Sequence, residues 1–242
     1  AMIGYDVVQG DPVFSAADRA RIEQHFIRPS VRLLQSVQPG LSNIWAWHNA
    51  AVGAAGAVLG DEELVAWALN GEFGLIEQLN RAPLPSGMWW EGSPHYHFYA
   101  LAAVVPLLEV AEHAGANLFD APQTRRLFTG PLRYVLPDQT FPPLNDSQRR
   151  PLRTVARFYD YAYGRWADEE FAAVQMPQRT WWGLFWGADT IPSPPPAALR
   201  LPSYSNPDEG MAILRNADNS MVAHLDFTRR VNVHVQPARL SM

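Results

Sequence analysis

The sequence predicts a mainly α fold: antiparallel helical hairpins in a curved or toroidal α/α array, followed by a few β-strands. Three observations carry this. Through residues 1–190, apolar residues recur at helical spacing between short Gly, Pro and Ser breaks. Segment 191–209 then holds six prolines and reads as a linker. From residue 210 the apolar period falls to two, so "GMAILRN", "SMVAHLDFT" and "VNVHVQ" read as strands, with "NADNS" as a turn.

Ser15 followed by Asp18 has the spacing of a capping box. The helix it starts is bent or interrupted at Pro29, which has no backbone N–H to give. Ser42 or Asn43 caps the next helix, "IWAWHNAAVGAAGAVLG", whose small residues permit close packing. "DEELVAWALNGEFGLIEQLN" reads as a third helix, its first-turn acids favoured by the helix dipole. Another helix starts near Tyr96 and contains Pro106 as a kink. Further helices are expected at 121–136, 151–163, 167–174 and around "TWWGLFWGA", with a proline-rich polar loop before residue 151.

Composition narrows the function classes. The 242 residues are 48% hydrophobic and 18% charged, which is a globular balance. No apolar run is long enough for a membrane span, and the opening "AMIGYDVVQGD" does not have the pattern of a signal peptide. There is no cysteine, so disulfides and thiolate metal sites are excluded, while cytoplasm and periplasm both remain open. A net charge of −5 argues against a generic nucleic-acid binder. All 19 basic residues are arginine, a bias that carboxylate pairing or genome base composition would each explain.

The densest chemistry lies in "MWWEGSPHYHFYAL", residues 88–101. Tyr96 follows a proline-containing loop and opens a helix. His97 adjoins it, and Tyr99 lies three residues on, on roughly the same face. Aromatic packing at a helix start accounts for the same pattern. In "SNIWAWHNAA", Asn43 stands at a helix N-terminus with His48 beyond it, although capping is the commonest use of such an asparagine. "FPPLNDSQRR" puts Asn145, Asp146, Ser147, Arg149 and Arg150 in one long loop, a composition shared by many solvated turns. His234 is a lone histidine on a late strand.

In this order, "SNIWAWHNAAVGAAGAVLGD", "GMWWEGSPHYHFYAL", "FPPLNDS" and "GMAILRN" resemble the heparinase II/III-like and oligoalginate lyase group of polysaccharide lyases. The likeness covers about residues 40 to 242. It implies an incomplete (α/α) toroid at 1–190, the 191–209 linker, and at 210–242 the start of a heparinase II/III-like β-domain, a truncated β-sandwich. It implies β-elimination on uronate-containing acidic poly- or oligosaccharides. Tyr96 matches the catalytic tyrosine and Asn43 the residue that neutralises the C5 carboxylate, with His48, His97 and His234 assisting. Trp45, Trp89, Trp90, Glu91, Tyr99, Asn145, Asp146 and Arg149 are then the expected substrate contacts, because tryptophan faces suit the C–H face of a sugar ring. A tyrosine acting as base would need a neighbouring cation to favour its ionised form.

Two departures bear on function. The family's β-domain motif, of the form His-Gly-His-Pro-Asp-Lys-Leu-Ser-Phe, corresponds here to "HVQPARLSM". His234 is kept, but Gln236 and Ala238 replace two metal-ligand types, so no metal and no cofactor is expected. The chain also carries fewer helices and strands than the group, which suggests a fragment, a truncated product or a homo-oligomer. Besides a lyase, the expected alternatives are a binding-only or degenerate family member and a helical scaffold. The partner in the first two cases is an acidic saccharide, with neither nucleic acid nor membrane.

Overall fold

The computed structural model describes residues 2–174, 180–190, 201–207, 209–227 and 240–241. Among these, the fold is mainly α with a β-rich end, as expected. The chain divides into two compact units, residues 1–82 with 99–124, and residues 83–98 with 125–242.

The first unit begins with α1 (Met2–Val8) and α2 (Ala16–Ile22). Ser15 caps α2 in a complete capping box with Asp18, as its spacing predicts. Pro29 does not break the chain. One π-helical turn, Glu23–Ile27, precedes α3 (Arg28–Gln35), so Pro29 falls in the first turn of a new helix, where no N–H is required.

Helix α4 (Asn43–Leu59) is capped by Ser42, whose hydroxyl accepts from the Trp45 N–H at 3.1 Å. A Cβ on Gly53 would lie 2.5 Å from Leu107 Cδ1, and one on Gly56 2.8 Å from the Val65 nitrogen, so the small residues do permit close packing. Ile27, Val31, Val52 and Ala55 form a core cluster here, with Trp67 and Leu64 packed against it.

The expected third helix is two helices, α5 (Glu62–Asn70) and α6 (Leu75–Arg81). Phe73 turns the chain with φ +54°, and its N–H is taken by the Glu77 carboxylate at 2.8 Å. A Cβ on Gly71 would meet the Trp67 carbonyl oxygen at 2.4 Å, so this corner requires glycine. Helix α7 (Pro94–His113) runs through Pro106 and supplies residues to both units, as does α8 (Pro122–Leu132).

In the second unit, strands β1 (Thr140–Phe141) and β2 (Arg150–Pro151) pair antiparallel and close the proline-rich loop. A 3-10 turn, Leu152–Val155, leads into α9 (Ala156–Trp166), followed by α10 (Glu169–Ala172) and α11 (Trp181–Trp186). Phe98, Phe128, Phe141, Phe158, Tyr159, Tyr161 and Phe171 are buried together in an aromatic core.

The sheet has strand order β3 (Tyr204–Asn206), β4 (Met211–Arg215), β5 (Val222–Asp226), β6 (Leu240–Ser241), all antiparallel. Two expected strands are β4 and β5. "VNVHVQ" lies outside the described residues. Strand β3 falls within the stretch read as linker: Ser205 pairs with Ala212 across the sheet despite the flanking prolines. No helix among the described residues is long and apolar enough to cross a membrane.

Candidate active site

The motif loop, residues 83–93, is fixed from several sides within the second unit. Pro83 bridges Trp89, and the Leu84 N–H donates to the Met88 carbonyl at 2.7 Å. Gly87 turns the loop with φ +93°, and a Cβ there would come 2.1 Å from the Arg126 carbonyl oxygen. The buried carboxylate of Glu209, from the turn between β3 and β4, accepts the Ser86 N–H, and its other oxygen accepts the Tyr134 hydroxyl at 3.5 Å. The Asn145 amide donates to the Glu91 carbonyl at 3.1 Å from a backbone turned to φ +52°.

His97 completes this framework. Its Nδ1 accepts the Trp89 N–H at 3.0 Å, so Nε2 carries the proton and donates to the Leu127 carbonyl at 2.9 Å. The ring is 1% exposed, and burial pushes its pKa down from 6.5 to about 3. His97 is therefore a neutral imidazole with both nitrogens engaged by main chain, tying the motif loop to α8.

Tyr96, one residue earlier on α7, is partly exposed. Its hydroxyl donates to Asp146 Oδ2 at 2.9 Å. That hydrogen bond, followed by desolvation and the charges of Asp146 and Glu91, raises the phenol above its ordinary pKa of 10. This is the reverse of the cation-assisted ionisation a basic tyrosine would need. Tyr96 is held in its protonated form, donating its hydrogen bond to Asp146. The exposed ring of His95 stands edge-on to it, with centroids 5.6 Å apart.

Glu91 and Trp89 are buried, and Trp90 is half-buried. Arg149 is exposed and paired with Asp138 at 2.5 Å, with its Nε on Thr140 Oγ1 at 2.9 Å. Tyr96, Asp146, Asn145 and Glu91 are brought together, whereas Arg149 is engaged within its own hairpin. His234, Gln236 and Ala238 lie outside the described residues, so neither the role of His234 nor the expected loss of metal ligands is visible. Among the described residues no three His, Asp or Glu side chains gather in a metal-binding arrangement.

In the first unit Asn43 is buried, and because Ser42 supplies the cap, capping does not explain it. His48 is half-buried, and desolvation lowers its pKa. Trp45 is buried against Trp67 and His48, so its ring is covered by protein. The exposed aromatic of α4 is Trp47. Its ring packs on Tyr99 at 5.5 Å and its Nε1 donates to the Tyr99 carbonyl at 3.1 Å. Trp47 and Glu209 escaped sequence reading, and His95 was legible only as part of the 88–101 motif. Trp47 had a usable signal, since it stands one helical turn from Asn43. Glu209 had none, because its partner lies 123 residues away.

The alginate lyase family model matches residues 2–140. An alginate lyase of Stenotrophomonas maltophilia is 37% identical over 110 residues, which are 42% of this chain and 14% of that protein. An exo-oligoalginate lyase of Saccharophagus degradans is 34% identical over 108 residues, 40% of this chain and 14% of its own. Among solved structures, a heparinase III with methylated lysines superposes with TM-score 0.68 at 16% identity, covering 98% of this chain and 35% of that one. A heparan sulfate lyase from Pedobacter heparinus gives TM-score 0.65 at 14% identity, covering 98% and 36%. The fold is thus that of the heparinase III chains, over about a third of their length, and the matches to the curated relatives span 14% of theirs.

Proposed function

Because the chain belongs to the alginate lyase family, we propose that it takes part in β-elimination on a uronate-containing acidic oligo- or polysaccharide, with Tyr96 as the proton donor. The observation that carries this reading is the Tyr96–Asp146 hydrogen bond, which keeps a phenol protonated and partly exposed in the family-like motif.

The steps balance with this chain's own groups. A base removes the C5 proton, the C5–H electron pair forms the C4=C5 double bond, and the C4–O4 bond breaks. The Tyr96 hydroxyl protonates the departing O4. We assign the base to His95, which is exposed beside Tyr96, in preference to His97, whose nitrogens are both engaged. The C5 proton is a weak acid until the carboxylate beside it is neutralised, and the resemblance gives that role to Asn43, as in an oxyanion hole. His48 is the first unit's candidate assistant. Tyr99, with Trp47 against it, is its candidate sugar platform. The divisions 1–190, 191–209 and 210–242 remain proposals for toroid, linker and start of the β-domain, with β3 at Tyr204–Asn206 carrying the sheet back into the proposed linker.

The test is ultraviolet absorbance during incubation with alginate and heparan-type oligosaccharides and with carboxyl-reduced alginate. Elimination gives a rise from the unsaturated product on a uronate and none on the reduced chain. Cleavage of both without that absorbance would refute elimination. Saturable binding without product would instead support a binding-only member of the family.

A further inference from the structure

Tyr96 is flanked by two carboxylates, Asp146 and Glu91, which would repel an acidic ligand. The second unit has positive charge to offset them, and three of its nine described arginines are engaged by carboxylates or main-chain carbonyls. Arg125 pairs with Asp168 and Arg149 with Asp138, while Arg215 donates to the carbonyls of Val135 and Arg133.

Arg150 and Arg157 differ. Both are half-buried, and neither forms an ion pair with a described residue. The Arg150 Cζ lies 5.8 Å from the Phe98 ring centroid. The Arg157 Cζ lies 4.8 Å from that of Phe158 and 5.3 Å from that of Trp182. Phe98 and Phe158 pack at 5.4 Å, so one aromatic cluster carries both cations. Arg150 Nε donates to Thr154 Oγ1 at 2.9 Å, whereas Arg157 Nε is buried with no hydrogen-bond partner. Ring faces recover only part of the hydration such cations lose. Burial lowers the pKa of both, and the charge of Arg157 lowers that of Arg150 further.

Two under-neutralised guanidinium groups on one rigid aromatic base make a receptor for an oxyanion, because the planar fork of arginine matches carboxylate and sulfate geometry. We infer that Arg150 and Arg157 form an anion subsite that grips a carboxylate or sulfate of an acidic saccharide. The inference rests on the proposed substrate class and adds the residues that select it. Phe98 lies two residues after Tyr96 on α7, and Arg150 follows Asp146 in the same loop, so the subsite is built on the segments that carry the proton donor.

The experiment is calorimetric binding in a Tyr96→Phe background, which prevents turnover. The probes are an alginate tetrasaccharide, a heparan sulfate tetrasaccharide and a carboxyl-reduced alginate tetrasaccharide. Arg150→Gln with Arg157→Gln should weaken the acidic probes about tenfold or more and leave the neutral one unchanged. Arg157→Lys keeps the charge, loses the fork and should fall between. Arg150→Gln alone serves if the double variant does not fold, since Arg150 makes one side-chain hydrogen bond. A larger loss on the heparan-type probe than on alginate would identify sulfate as the preferred anion; the reverse would identify carboxylate. Undiminished binding of both acidic probes overturns the subsite. If the wild type forms unsaturated product while the double variant binds normally, the subsite fails and the lyase reading stands. Arginine-dependent binding without product means the reverse, and no binding by the parent rejects both.

Discussion

Replacing His97 by Gln tests the framework that holds the motif. The folded protein keeps a neutral imidazole down to about pH 3, whereas the unfolded chain takes up a proton near 6.5. Between these values the unfolded state binds more protons, so acid favours unfolding. The stabilising contribution is complete above about pH 6.5 and falls by about 1.4 kcal/mol per pH unit below it, to an upper limit of about 5 kcal/mol. About 2 kcal/mol should be gone by about pH 5, a large share of a typical total of about 5–15 kcal/mol. At about pH 7.5, His97→Gln should cost about 1–3 kcal/mol by disturbing the partners of Trp89 N–H and Leu127 C=O. Glutamine does not titrate, so urea unfolding should show the gap between wild type and variant closing by about 2 kcal/mol at about pH 5. A gap that stays constant, or an NMR titration of the His97 ring near its ordinary value, would refute this reasoning.

Other substitutions separate structure from chemistry. Asp146→Asn removes the charge that Tyr96 faces, so NMR of the labelled phenol should show its pKa falling back toward 10; no movement would mean that Asp146 is not the cause. Gly87→Ala would force a Cβ against the Arg126 carbonyl at positive φ and should lower stability by about 2 kcal/mol or more, measured by denaturant unfolding. Ser42→Ala should cost about 1 kcal/mol without changing product formation, whereas Asn43→Ala should abolish product while leaving the Ser42 cap in place. Equal effects of the two on turnover would return Asn43 to a structural role.

Local chemistry made much of this legible. Ser15 and Asp18 announce a helix start whose bonds involve only neighbouring residues. The alternation in "MAILR" and "VAHLD" announces two strands for the same reason. The motif around Tyr96 pointed to the family, whose model matches residues 2–140. What escaped depended on distant partners. The helix break at Phe73 needs a left-handed residue, which sequence does not mark unless it is glycine. Strand β3 exists because β4 offers it a pairing edge, which overrides its prolines. His97 is expected to assist because it adjoins Tyr96 in the family-like motif, yet the Trp89 N–H and the Leu127 carbonyl occupy its two nitrogens. Trp45 and Trp47 are two residues apart, and which of them faces inward is set by what packs on α4. Tyr96 could be singled out from its motif as the proposed catalytic residue, but its hydrogen bond to Asp146, 50 residues away, could not.

The most direct measurement is ultraviolet product formation on an alginate oligosaccharide by the wild type and by Tyr96→Phe, with binding of the same saccharide followed in parallel. The account predicts a rise in absorbance for the wild type, none for the variant, and equal binding by both. Turnover by Tyr96→Phe at the wild-type rate would contradict it.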